Sequence, residues 1–173
     1  RGSDKDEDEI LGRDLLGSEK NSLEHDIVTE DIVNRIDPLC EMVAISERTL
    51  IKLSNLQHLY RKISGKVKKG VSDMELIDAM APTPAVSGKP LKKSIDILKK
   101  EEPFQRGWYS GVVGFAGKNI SDYYVAIRSV LLRKDKMFIY SGAGIVPGSD
   151  PEKEWEEIDL KIKKYKKILK YEI

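Results

Sequence analysis

The chain has almost no cysteine, almost no net charge and no long apolar run, and each shortage removes a class of function. One cysteine, Cys40, in 173 residues excludes an internal disulfide framework and suits a reducing, cytoplasmic setting. Thirty Lys and Arg against 29 Asp and Glu leave no net field to draw the chain to nucleic acid or to an acidic membrane. No stretch approaches the roughly 20 apolar residues that a spanning helix needs, and no signal-like segment opens the chain. Internal repeats and long low-complexity tracts are missing too.

What is present fits a single domain with enough residues to bury a core. Residues 1–9, dense in charge from Asp4 to Glu9, read as a flexible lead-in, and residues 10–173 as the domain. A first helix is predicted from Ile10 to Arg35, with Leu16, Leu23, Ile27 and Val28 on one side. Glu24 falls within that apolar face, where a lone carboxylate costs several kcal/mol by typical estimates unless a cation or proton compensates. A salt bridge to Lys or Arg meets that need, and so does a metal ion. His25 is turned away and reads as a surface residue.

Thr49–Leu53 and Leu56–Val67 read as strands around a Ser54-Asn55 turn. His58, in the second of them, reads as a half-buried strand histidine. Ser72 with Glu75 forms a capping-box pattern before a short helix, Asp73–Met80. The loop Ala81–Pro90 (APTPAVSGKP) is stiffened by three prolines. An amphipathic helix follows over Leu91–Glu101. Val112–Ala116, Tyr123–Leu132 and Met137–Tyr140 then read as an antiparallel meander with short turns. Arg128 shares a strand face with Tyr124, Ala126 and Val130. A guanidinium there needs an anion because it cannot shed its charge; a protein carboxylate and a ligand carboxylate both qualify.

The stretch Tyr140–Lys161 (YSGAGIVPGSDPEKEWEEIDLK) joins a glycine-rich turn to the last helix. Asp150 and Pro151 suit a helix start. Glu154, Glu157 and Lys161 sit at i, i+3 and i+7 and share one edge, beside an apolar stripe of Trp155, Ile158, Ile162, Tyr165 and Leu169. Read from composition alone, these charges form a solvated face. Read with the Gly-Ala-Gly turn, they form an anion and metal site. The lysines from Lys163 to Lys170 line the wet side of the helix.

Five segments together resemble the chorismate-binding enzymes: Glu19–His25, Ala81–Pro90, Arg106–Gly111, Val125–Ser129 and Tyr140–Lys161. They span nearly the whole chain in order. APTPAVSG and GAGIVPGSDPEKEW resemble the isochorismate synthases, particularly those feeding menaquinone synthesis. Salicylate synthases are close as well, while anthranilate and aminodeoxychorismate synthases carry Ala-Gly-Thr near Pro84 and Ala85. The resemblance implies an α+β fold of antiparallel β-sheet layers flanked by helices, like part of anthranilate synthase component I.

By the same resemblance, Glu24 and Glu157 are the carboxylates that bind Mg²⁺, with Glu154 beside them as an alternate ligand. Arg128 and Tyr109 clamp the pyruvyl carboxylate of chorismate, assisted by backbone N–H groups around Gly142, Ala143 and Gly144. Lys161 lies near the metal-bound carboxylate, His58 on the site wall, and Ala85 in the loop over the ring. Ala81 departs from a histidine or glutamine common at that position. The family's base, a lysine, and its acid, a glutamate, are expected upstream of Arg1, so the chain reads as the C-terminal portion of a longer enzyme. An inactive scaffold, self-associating through exposed sheet edges, is the alternative from another class.

Overall fold

The opening helix breaks in two. In the computed structural model, which describes residues 5–52 and 57–169, α1 spans Lys5–Gly17 and α2 spans Glu19–Ile36, where periodicity predicts one helix. Ser18 makes the break: its backbone is extended (φ −72°, ψ 114°) and its hydroxyl accepts from the Asn21 N–H, so a capped new helix starts there. The expected lead-in is helical from Lys5, and Asp8 is buried. The chain divides into two compact units, Arg1–Thr83 and Pro84–Ile173. The fold class is α+β as expected, and among the described residues the β structure forms four two-stranded antiparallel sheets.

In the first unit, β1 (Cys40–Ile45) pairs with β4 (Ile63–Val67), and β2 (Thr49–Lys52) with β3 (Gln57–Tyr60). The single strand expected to run to Val67 therefore splits, because its halves serve different sheets. The expected Ser54-Asn55 turn lies outside the described residues. Helix α1 packs on the β2–β3 hairpin, and Gly12 permits that approach. A β-carbon there would stand 2.8 Å from the Gln57 amide oxygen and 2.9 Å from Leu50. The buried Asp8 carboxylate is compensated locally. Lys52 Nζ donates to it at 3.1 Å, and Gln57 Nε2 donates at 3.0 Å while also reaching the Asp8 carbonyl at 2.8 Å.

Helix α2 packs against β1, β4 and α3 (Asp73–Met80). Its Asp26 takes hydrogen bonds from Arg48 (2.5 Å) and Arg61 (3.1 Å), while Arg48 also donates to the Ser22 hydroxyl at 2.8 Å. The Arg48 hydrogen bond holds the Asp26 carboxyl below its ordinary range, against an opposing effect of burial. Helix α3 begins as expected: the Ser72 hydroxyl accepts from the Glu75 N–H at 3.3 Å and the Glu75 carboxylate accepts from the Ser72 N–H at 2.8 Å.

The second unit opens with the short helix α4 (Pro84–Ser87) and with α5 (Leu91–Glu101). Two hairpins follow, β5 (Val112–Ala116) with β6 (Ser121–Val125), and β7 (Val130–Arg133) with β8 (Lys136–Ile139). The long strand expected over Tyr123–Leu132 is thus interrupted, and the meander becomes two separate pairs. Helix α6 (Pro151–Leu169) closes the unit, with the Asp150 carboxylate accepting from the Lys153 N–H at 3.0 Å. No described helix is long and apolar enough to cross a membrane.

Two outcomes test these packing arguments. Gly114→Ala would drive a methyl into the Asp122 carbonyl and the Tyr123 ring, so it is expected to unpair β5 from β6; amide exchange of Val112–Ala116 reads this. Ser72→Ala is expected to cost α3 about 1 kcal/mol. Because Ser72 hydrogen bonds lower the Glu75 carboxyl from its ordinary 4.5, the cap is fully present above that value. It is lost as pH falls through the lowered one, and Cα shifts of Asp73–Ile77 follow that loss.

Candidate functional site

In the second unit three loops lie together, two of them tied to α6. The first loop is the turn Arg106–Gly111, closed by Tyr109 N–H to Arg106 C=O and Gly111 N–H to Trp108 C=O, both 3.0 Å. Beyond β5 and β6 the pairing continues: Ser110 N–H donates to Ala126 C=O at 2.9 Å, and Ala126 N–H to Gly111 C=O at 2.8 Å. Tyr109 and Arg128 therefore leave the same end of one hairpin.

Arg128 was expected on a strand face and instead sits in the break between β6 and β7, at φ 50°. A non-glycine residue in the left-handed region costs about 1–3 kcal/mol and persists only where its surroundings impose it. Here they do. The Tyr165 hydroxyl of α6 donates to the Arg128 carbonyl, and Tyr140 N–H donates to Ser129 C=O at 3.0 Å.

The Tyr109 ring stacks on Tyr140, with centroids 5.3 Å apart and planes 19° apart, and the Arg106 guanidinium carbon lies 5.7 Å from its centroid. Gly142 comes so close that a β-carbon there would stand 3.0 Å from the Tyr109 hydroxyl. Burial raises the Tyr109 phenol above its ordinary value of 10.0, opposed by the Arg106 charge. At neutral pH it is therefore an O–H donor, suited to a carboxylate.

On α6 the expected edge exists, turned by one residue. Glu154 is only 4% exposed, whereas Trp155, expected to be buried, is 67% exposed. Ile158, Ile162 and Tyr165 face inward as expected. Lys161 Nζ lies 2.7 Å from the Glu157 carboxylate and donates to the Gly142 carbonyl at 2.8 Å. Glu157, Lys161 and Tyr165 thus follow one another by single turns, and two of them hold the loops that carry Gly142 and Arg128. Ala143 and Gly144 follow in the same irregular loop, and Ala85 lies exposed in α4.

In the first unit, Glu24 is not the lone buried charge that the helical wheel suggests. Its side chain is 31% exposed, with Lys20 Nζ at 3.7 Å. His25, expected at the surface, is half-buried, and its Nδ1 is enclosed without a hydrogen-bond partner. Burial, then the Arg48 and Arg61 charges, lower its pKa below 6.5. His58 is half-buried as expected, opposite Ile51 in the hairpin register.

Glutamate oxygens are the donors that Mg²⁺ takes. Among the described residues, no group of three or more His, Cys, Asp or Glu side chains gathers to hold a metal. A Mg²⁺ here would rest on one or two carboxylates, completed by substrate and water, which is ordinary for this ion. Sequence reasoning passed over Arg106, whose signal was Glu102 four residues earlier. It also counted Tyr165 as apolar, although its hydroxyl is what acts.

The chain matches the family described as chorismate binding enzyme over residues 1–170. It is 39% identical to isochorismate synthase 2, chloroplastic, of Arabidopsis thaliana, over 99% of this chain and 31% of that protein. It is 37% identical to isochorismate synthase MenF of Bacillus subtilis, over 94% of this chain and 35% of that one. The solved structure of the menaquinone-specific isochorismate synthase MenF from Escherichia coli superposes with a TM-score of 0.84 at 34% identity, over 93% of this chain and 37% of that chain. The chain spans about a third of the length of these relatives. With its motifs in order along that match, it belongs to the chorismate-binding enzyme family.

Proposed function

We propose that this chain carries the substrate- and metal-binding elements of a Mg²⁺-dependent isochorismate synthase acting in a reducing, cytoplasmic setting. The observation that carries the reading is the tie through Lys161, which holds the glycine loop at Gly142 against the carboxylate edge of α6. The relatives, isochorismate synthases, supply the reaction class. In that reaction, water adds at ring C2 of chorismate, both ring double bonds shift, and the C4 hydroxyl leaves with a proton. The water gives its own proton to a base, so the product isochorismate has the composition of its substrate.

In this reading Arg128 grips the pyruvyl carboxylate with its guanidinium fork, and the Tyr109 hydroxyl donates to the same group. The N–H groups of the Gly142–Gly144 loop add further donors. Glu24 of the first unit and Glu157 of the second are each candidate Mg²⁺ ligands, with Glu154 as alternate; when bound, the ion would neutralise the ring carboxylate. Lys161 pairs with Glu157 in its place. His58 of the first unit and Ala85 of the second are further candidate ligand contacts. No base or acid is assigned to a residue of this chain, so its contribution is to bind and orient.

Self-association is the second reading. Each described strand pairs with one partner, and apolar side chains such as Val113, Phe115 and Leu132 are more than half exposed, which invites strand pairing between copies.

Calorimetry with chorismate and Mg²⁺ tests the proposal. Binding is expected to require Mg²⁺, to weaken at least about tenfold in Arg128→Met (the loss of a charge-assisted pair), and to lose its Mg²⁺ dependence in Glu24→Gln and Glu157→Gln. Isochorismate is not expected to form with this chain alone. A well-folded dimer that binds neither ligand refutes the binding role and supports self-association.

A further inference from the structure

The Arg106 side chain is the most heavily engaged group near Tyr109. Its Nε and Nη2 grip the two Glu102 oxygens side-on at 2.8 and 2.6 Å. Its Nη1 donates to the Val86 carbonyl at 2.6 Å and to the Ser110 hydroxyl at 3.0 Å. Those partners come from three places: the end of α5, the α4 turn next to Ala85, and the turn that carries Tyr109. Each bond fixes a different direction of the planar fork, so the guanidinium has little freedom left. Its carbon lies 5.7 Å from the Tyr109 ring centroid, within reach of a cation–π attraction.

We propose that Arg106 is a positioning residue: locked by Glu102, Val86 and Ser110, it sets the orientation of the Tyr109 ring and so places the Tyr109 hydroxyl for the ligand carboxylate. The inference rests on the chorismate reading above for its ligand, but not for its geometry. Tyr109 needs such a device because its turn is short and contains positive-φ residues at Gly107 (58°) and Ser110 (66°), which leave the ring's direction to side-chain contacts. A lysine would not serve. One ammonium nitrogen cannot take a carboxylate side-on and also reach a carbonyl and a hydroxyl on the far side of the fork, nor lay a flat cation beside the ring.

Two measurements on the full chain decide it. In calorimetry with chorismate and Mg²⁺, Arg106→Lys is expected to weaken binding about tenfold. In a Tyr109→Ala background the same change should cost less than about twofold, because the effect passes through that ring. Equal losses in both backgrounds overturn the proposal. Without ligand, Arg106→Lys is expected to move the Tyr109 ring-proton resonances, as the Tyr140 stack is disturbed, with an unchanged far-UV spectrum; unmoved resonances overturn it. Should Arg106→Lys fail to fold, Glu102→Gln keeps the cation and weakens one side of its lock. It is expected to move the same resonances less, and no movement again overturns the proposal. Failure of the wild-type chain to bind chorismate refutes the functional reading alone, since the ring resonances still judge Arg106.

Discussion

A single ammonium group organises the second unit. Lys161 Nζ stands between the Glu157 carboxylate at 2.7 Å and the Gly142 carbonyl at 2.8 Å, joining a helix to a loop that has no regular structure of its own. One turn further on, the Tyr165 hydroxyl holds the Arg128 carbonyl. A partly exposed ion pair by itself contributes little to stability. Here its importance is directional, because it and the Tyr165 bond fix which edge of α6 faces the loops, and with that which carboxylates reach the site.

The same economy governs Arg128 and Tyr109. Arg128 is held in a left-handed backbone conformation by bonds on both sides, and Tyr109 lies between ring and cation contacts with the Gly142 backbone near its hydroxyl. Strain of this kind is tolerated where the surroundings over-determine it. In the first unit, polar ties again do the fixing: Asp8 to Lys52 and Gln57, and Asp26 to Arg48 and Arg61. Both units are rich in exposed apolar side chains, among the described residues, and few side chains of either are fully buried. Directional bonds therefore carry an unusual share of the specification.

Local chemistry was legible wherever a short segment decides its own conformation. The Ser72–Glu75 box, helices α3 and α5, strand β5 and the Asp150 start all depend on neighbours within a turn, and all were read correctly. Errors arose where distant segments intervene. Ser18 was overlooked as a cap because the apolar pattern continues through it. The break at Arg128 was missed because strand alternation also continues, while bonds from Tyr140 and Tyr165 bend the backbone there. Trp155 was placed inside and Glu154 at the border, yet α6 is turned so that Glu154 is the buried one; a wheel gives spacing, not the direction of rotation.

By itself, then, the sequence determined the α+β class, the starts of α3, α5 and α6 and, through motifs that resemble those of known enzymes, the family. The class and the helix starts follow from residue type and spacing within a few turns of chain, and the family from the resemblance of motifs along the whole of it. Tertiary structure alone decided the division into two units, the roll of α6, the bend at Arg128 and the engagement of Arg106 with α4, α5 and Tyr109. Those depend on hydrogen bonds that join separate elements, such as Tyr165 to Arg128 and Arg106 to Val86, whose geometry no local pattern encodes.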